Sequence, residues 1–345
     1  MPTRVSRAAG CLAGLALGDA LGTPTQPTPA ATRARYGLIR TFLAPHPDDP
    51  FGHAGLRAGQ ITDDTQAALA LVRAVVRRRS FSVEIAAEGL LAWLDSIGAA
   101  ESPYVGPSTR AAYQALKRGA PPAESGLGGV TNGAAMRVAP LGFLADDFDA
   151  VVRYAAWSAM PTHNSPIGLA SAAAVAGAVR AAAGGEGLPA VITSACEAAR
   201  QGAALYAGPP LFATAPDLGR RIAWAVSLTE GVTVGPDPDA WGPDVWRVLR
   251  DVYDYVGAGM AAHESVPAAL ALAVLAGGDA WTAALLAANL GGDGDTIAAM
   301  AGAVCGALRG IESLPAGAVA AVERVNGLDF RELAREYLEA VQAMH

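Results

Sequence analysis

Two acidic clusters hold the groups best able to do chemistry. In LGGDGDTIAAMAGAVCGALRG (290–310), Asp293 and Asp295 stand two apart in a glycine-rich turn that runs into an apolar helical pattern. Residues two apart on a continuous helix point to nearly opposite sides. The carboxylates therefore converge only if Asp293 precedes the helix and Asp295, with Thr296, lies in its first turn. Gly291, Gly292 and Gly294 permit backbone conformations closed to other residues and let a ligand approach closely. The second cluster, QITDDTQ (60–66), sets Thr62, Asp63 and Asp64 ahead of the pattern AALALVRAVV. Carboxylates, hydroxyls and free helix-start amides suit a hard cation or an anion. The same residues would also serve as plain N-caps that complement a helix dipole. Joint occurrence with three further motifs favours the first reading, in which the two clusters share metals.

Such clusters need rigid helices to aim them, and the composition provides for helices. Of 345 residues, 52% are apolar, mostly Ala, Leu and Val, and only 6% are aromatic. A formal charge of −7 with scattered Lys and Arg leaves no basic stripe, which excludes nucleic acid as a bulk electrostatic partner. Cys11, Cys196 and Cys305 are odd in number, lack paired spacing and sit in apolar helical patterns; they read as buried reduced thiols of a cytoplasmic protein. The apolar run 8–18 after Arg4 and Arg7 imitates a signal peptide, but Asp19 interrupts it without a good cleavage site, so it reads as the first core helix. No other run is long and charge-free enough to suggest a bilayer span. Gly10, Gly14, Gly18 and Gly22 recur every four residues, as do Gly302, Gly306 and Gly310. Each helical glycine costs about 1 kcal/mol relative to Ala, so a close crossing of these two helices is expected to offset them.

Along the chain, residues 23–60 have little periodicity and read as a functional loop or cover. His46, Asp48, Asp49 and His53 within it are possible ligands, although Pro-Asp-Asp-Pro is an ordinary turn sequence. Helical periodicity is expected over 63–79, 83–97, 108–118, 148–160 and 167–183, and then in several further segments to 344. Asn132-Gly133 is a turn signal, and the small-residue run Ala134, Ala135, Met136 behind it could present backbone amides to a phosphate. His163 stands at the expected start of the helix 167–183, where a local cap is the ordinary role. No alternating strand pattern, tandem repeat or linker is visible. The expected architecture is one all-α domain over 1–345, with about fifteen helices.

The ordered set GDALGTPTQ (18–26), ITDDTQ (61–66), TNGAAMRVAPLG (131–142), THNSP (162–166) and GGDGDT (291–296) resembles the ADP-ribosylglycohydrolase family across nearly the whole chain. That resemblance implies an all-helical fold with two Mg²⁺ or Mn²⁺ ions in a central cleft. Thr62, Asp63 and Asp64 would hold the metals from one helix start, and Asp293, Asp295 and Thr296 from the other. Asn132, Gly133, Ala134, Ala135, Met136 and His163 would line the ADP-ribose site, with Gly292 and Gly294 at its edge. Asp63, Asp64 and Asp295, with Gln26, would be catalytic, acting on ADP-ribose attached to a protein side chain or a small molecule. Many family members carry glutamate where this chain has Gln26, and no Glu precedes Glu84. Glutamine can accept a hydrogen bond but cannot take a proton near neutral pH. Asp48 or Asp49 could stand in for that carboxylate. Otherwise the change at Gln26 implies a different N-ribosyl substrate, or a weakened homologue that binds ADP-ribose or serves a structural role.

Overall fold

The chain, described over residues 1–99, 102 and 105–344 in a computed structural model, is organised around its N-terminal helix. That helix, Arg4–Gly22, begins at Thr3, whose hydroxyl accepts from the Ser6 amide, and every residue from Ser6 to Gly22 is buried. Its partner is Gly294–Arg309, and the two glycine ladders meet as expected. A methyl group at Gly10 would strike the Gly306 carbonyl, at Gly14 the Gly302 carbonyl, and at Gly22 the Gly294 carbonyl. The two backbones thus touch directly along their length. Arg7, buried between them, donates to the carbonyls of Ala182 (2.9 Å), Ala307 (3.0 Å) and Leu308. It thereby satisfies the C-terminal ends of Gly294–Arg309 and its neighbour Pro166–Ala183, where a cation also complements the helix dipole.

Gly14→Ala is expected to force the two helices apart and cost about 3 kcal/mol, lowering the melting temperature by roughly 4 °C. Gly317→Ala is the control. Gly317 lies exposed in the helix Ala316–Asn326 with open space around it, and there the substitution should stabilise by up to about 1 kcal/mol. Equal effects at both sites, read by calorimetry, would contradict the packing role.

The protein is 67% helical, and among the described residues seventeen α-helices occur and no strand. Two isolated bridges do occur, Leu127 with Asn164 and Thr131 with Ala261. Three sequence expectations need correction. A helix, Pro29–Tyr36, lies inside the segment read as loop; it starts at Thr28 with proline in its first turn and buries only Thr32. The helix expected to stop at Met160 continues through Pro161 as Phe148–His163, so His163 closes one helix rather than opening the next, which starts at Pro166 behind the N-cap Ser165. One helix, Pro166–Ala183, does have the length and apolarity of a bilayer span, although 89% of it is buried within the protein. The cysteines are free, with Cys11 and Cys305 buried and Cys196 only half-buried.

The rest of the long loop is fastened at both ends by asparagines. Asn289 exchanges two hydrogen bonds with the Ile39 backbone (3.0 and 2.9 Å), and Asn326 accepts from the Ile61 amide and donates to Gly59 O. This anchoring delivers Thr62 and Asp63 to the helix Asp63–Arg78, next to the end of the N-terminal helix.

Candidate metal and ligand site

The turn that bears Asp293 is fixed by its glycines. Gly291 (φ 82°) and Gly292 (φ 72°) occupy the left-handed region. A methyl group at Gly292 would strike the Ala258 carbonyl, and one at Gly291 the Thr28–Pro29 backbone. The Gly292 amide donates to Gln26 O (2.9 Å) and the Asp293 amide to Ala258 O (2.7 Å). Asp293 then takes the N-cap position of Gly294–Arg309, with Asp295 and Thr296 in the first turn, the disposition that lets the two acids converge.

Capping does not account for these acids. Neither Asp293 nor Thr62, the N-cap residue of Asp63–Arg78, makes a side-chain capping bond. Asp293 Oδ2 accepts instead from Asn132 Nδ2 at 2.6 Å, and the same amide nitrogen reaches Ser265 Oγ at 3.0 Å. Thr62 turns its hydroxyl to Asp19 Oδ1 at 2.8 Å.

Asp19 is the residue that sequence reasoning missed. It is completely buried in the N-terminal helix. It accepts from the amides of Thr62 (3.0 Å) and Thr65 (3.1 Å) and from the hydroxyls of Thr62 (2.8 Å) and Thr65 (2.6 Å). Its signal was a single carboxylate set in an otherwise apolar helix, read only as an interruption. His53 was considered in the sequence and is at the site: it is buried, with Nε2 3.5 Å from Asp295 Oδ2. Asp49 aims it by accepting from the amides of Phe51 (3.0 Å) and His53 (2.8 Å), whereas Asp48 is exposed.

Asp63, Asp64, Asp293, Asp295 and Thr296 line a cleft of about 70 Å³ together with His53, Thr131, Asn132, Gly133 and Met136. Ala134 and Ala135 are fully buried beside it, in the short helix Gly133–Met136. Gly292 and Gly294 frame the acidic turn. His163 stands one layer back, its Nε2 2.8 Å from Thr131 Oγ1. Gln26 lies outside the cleft lining, with its side-chain amide donating to Thr25 O at 2.7 Å. A larger cavity of about 620 Å³, bordered by Thr28, Arg33, Trp246 and Tyr253, lies away from the acids.

Among the described residues none of these carboxylates pairs with a lysine or arginine. Burial, reinforced by neighbouring carboxylates, pushes the Asp63 carboxyl up to about 8 and holds Asp64 and Asp295 well above the usual range. Burial raises Asp19 to about 6 despite its hydrogen bonds, and raises Asp293 as well. His53 offers no compensating charge, since burial lowers its pKa. Asp64 Oδ1 is buried with no hydrogen-bond partner. An all-oxygen donor set, an orphaned carboxylate oxygen and uncompensated negative charge fit a hard divalent cation. As placed, no three Asp, Glu, His or Cys side chains among the described residues form a ready-made cage; closing on an ion takes side-chain rotation, as expected of carboxylates that repel one another.

A pH dependence follows. With chelator present, folded Asp19 and Asp63 keep protons that the unfolded chain has released above its ordinary pKa of 3.8. Their contribution to stability is therefore fully present below pH 3.8 and is lost as pH rises through about 6 and about 8. A divalent cation should cancel the loss. Melting temperatures with Mg²⁺ or with chelator are expected to diverge as pH rises from about 5 to about 8.5, by a free energy on the order of a few kcal/mol. A gap that stays constant with pH would contradict the assignment.

Comparison with known proteins identifies what the whole chain is similar to. The family model for ADP-ribosylglycohydrolase matches residues 1–345. The chain is 35% identical over 336 residues to a protein of Escherichia coli K12 named uncharacterized protein YegU, covering 96% of each. It is 32% identical over 196 residues to the ADP-ribosyl-[dinitrogen reductase] glycohydrolase of Rhodospirillum rubrum, which covers 55% of this chain and 62% of that protein. A solved structure described as an ADP-ribosylglycohydrolase-related protein complex has a TM-score of 0.69 over the full length of both chains at 24% identity, a likeness of fold.

Proposed function

Because the chain belongs to the ADP-ribosylglycohydrolase family, hydrolases of glycosidase type, we propose that it removes ADP-ribose from a modified protein side chain or small molecule with the help of two Mg²⁺ or Mn²⁺ ions. The observation that carries this reading is the meeting of Asp63 and Asp64 with Asp293, Asp295 and Thr296 in one cleft, without a basic side chain to neutralise them. Those residues, with Thr62 beside them, would hold the cations. Bound there, divalent ions supply Lewis-acid polarisation of ribose oxygens and an acidified water for attack at the anomeric carbon.

The chain's own groups divide the remaining work. Asn132 holds Asp293 in place and leaves the other acids facing the cleft. In the ion-free cleft burial raises the proton affinity of Asp63, and a cation held there would favour its ionised form instead. A cleft of about 70 Å³ admits several waters. A nucleotide-sized ligand would place its reacting end there, beside the acids, and extend past Phe51, Pro107, Thr131 and Met260, which also line it.

The test is release of ADP-ribose from ADP-ribosyl-arginine and ADP-ribosyl-serine peptides with Mg²⁺ or Mn²⁺ and after chelation. Metal-dependent release from either peptide is expected. Gln26 favours a second reading, since a side chain that cannot exchange a proton occupies a position where glutamate is frequent, and its amide is bound to Thr25 O. Release from neither peptide, with turnover of a nucleoside or another N-ribosyl compound, would select that reading.

A further inference from the structure

Behind the Asn132 turn runs a line of hydrogen bonds whose direction is dictated at one end. Arg137 and His163 are both 0% exposed. The Arg137 guanidinium donates to Gly133 O at 2.8 Å, to Ser158 O at 2.9 Å and to Thr162 Oγ1 at 2.6 Å. Guanidinium has donors only, so Thr162 Oγ1 must accept there and keeps its single hydrogen for another neighbour. That neighbour is His163 Nδ1, 2.7 Å away. With Nδ1 accepting, the neutral ring carries its hydrogen on Nε2 and donates it to Thr131 Oγ1 at 2.8 Å. Thr131 in turn has its own hydrogen to give, and reaches Ser108 Oγ at 3.2 Å. Thr131 lines the cleft.

The ring has little freedom to answer otherwise. A methyl group at Gly133 would lie 2.8 Å from His163 Cε1, and one at Gly168 would lie 2.9 Å from His163 Cβ. The imidazole is thus clamped between two residues without side chains, with a hydroxyl at each nitrogen. Burial and the Arg137 charge both disfavour imidazolium, which keeps the ring neutral.

We propose that Arg137 is a positioning residue which, through Thr162, holds His163 as the Nε2–H tautomer and so fixes the Thr131 hydroxyl at the cleft wall as the acceptor of the ring hydrogen, with its own hydrogen turned to Ser108 Oγ. The assignment stands on the direction of the hydrogen bonds, dictated from the Arg137 end, and is independent of which ligand the cleft takes.

The test uses the wild-type protein with ¹⁵N-labelled histidine. Ring correlations are assigned by loss of signals in His46→Gln, His53→Gln, His263→Gln and His345→Gln. At neutral pH, His163 should show an unprotonated Nδ1 and a protonated Nε2. A protonated Nδ1, as the neutral tautomer or as imidazolium, would overturn the proposal whether or not any Arg137 variant folds. Arg137→Lys, also donor-only, should keep the tautomer; Arg137→Gln, whose amide can accept, should lose it. An unchanged tautomer in folded Arg137→Gln would remove Arg137 from the line.

Discussion

Asp295→Asn is expected to reduce metal-dependent release of ADP-ribose by about 10³-fold, equivalent to roughly 4 kcal/mol of lost transition-state stabilisation. Asparagine keeps the size and the oxygen that accepts from the Thr296 amide at 2.9 Å. What is lost is the charge. Asp295 is 4% exposed, faces the cleft, and its carboxyl is held well above its ordinary range by burial first and by Asp293 next. Removing one of several crowded carboxylates relieves repulsion in the ion-free protein, so Asp295→Asn should melt in chelator at or above the wild-type temperature while responding less to added cation. Steady-state turnover and paired melting curves check this. Loss of folding in chelator, or full activity, would show that Asp295 serves the helix rather than the site.

The second large effect is expected at Asp19. Asp19→Asn should lower cation affinity by about 10- to 100-fold although Asp19 is not among the residues lining the cleft. Its two oxygens receive the amides and hydroxyls of both Thr62 and Thr65, and so set the first turn that carries Asp63 and Asp64. Asparagine would turn an NH₂ group toward these donors. The hydroxyls can rotate away, but the Thr62 and Thr65 amides cannot, and the turn must shift. Stability should respond less than affinity, because burial already penalises the Asp19 charge and lifts its pKa to about 6. Cation titration by calorimetry separates the two quantities; unchanged affinity would assign Asp19 to packing alone.

Much of this site was legible because its signals are local. Asp293 before the helix and Asp295 within it follow from their spacing, and the crossing of the glycine ladders follows from their four-residue period. The family read from motif order is borne out by the match over residues 1–345. What escaped were residues whose role depends on burial by distant segments. Arg137 looks like a surface side chain in the sequence, yet it is fully buried and bonded to three oxygens. Asp19 is aimed at residues 43 and 46 positions away. The helix Pro29–Tyr36 buries one residue and so has almost no apolar periodicity to read. Pro161 marks a helix boundary in the sequence, but it falls in the last turn of Phe148–His163, where the loss of one ladder bond, to the Trp157 carbonyl, leaves the rest of the helix intact. Its carbonyl is taken up by Ser125 Oγ at 2.8 Å.

The central claim is that the two acidic helix starts together hold divalent cations, and anomalous diffraction from crystals grown with Mn²⁺ tests it most directly. The expected result is two manganese peaks between Asp63–Asp64 and Asp293–Asp295, both absent from crystals of Asp295→Asn grown in the same solution. Manganese elsewhere, or an ordered cleft holding only water at saturating Mn²⁺, would contradict it.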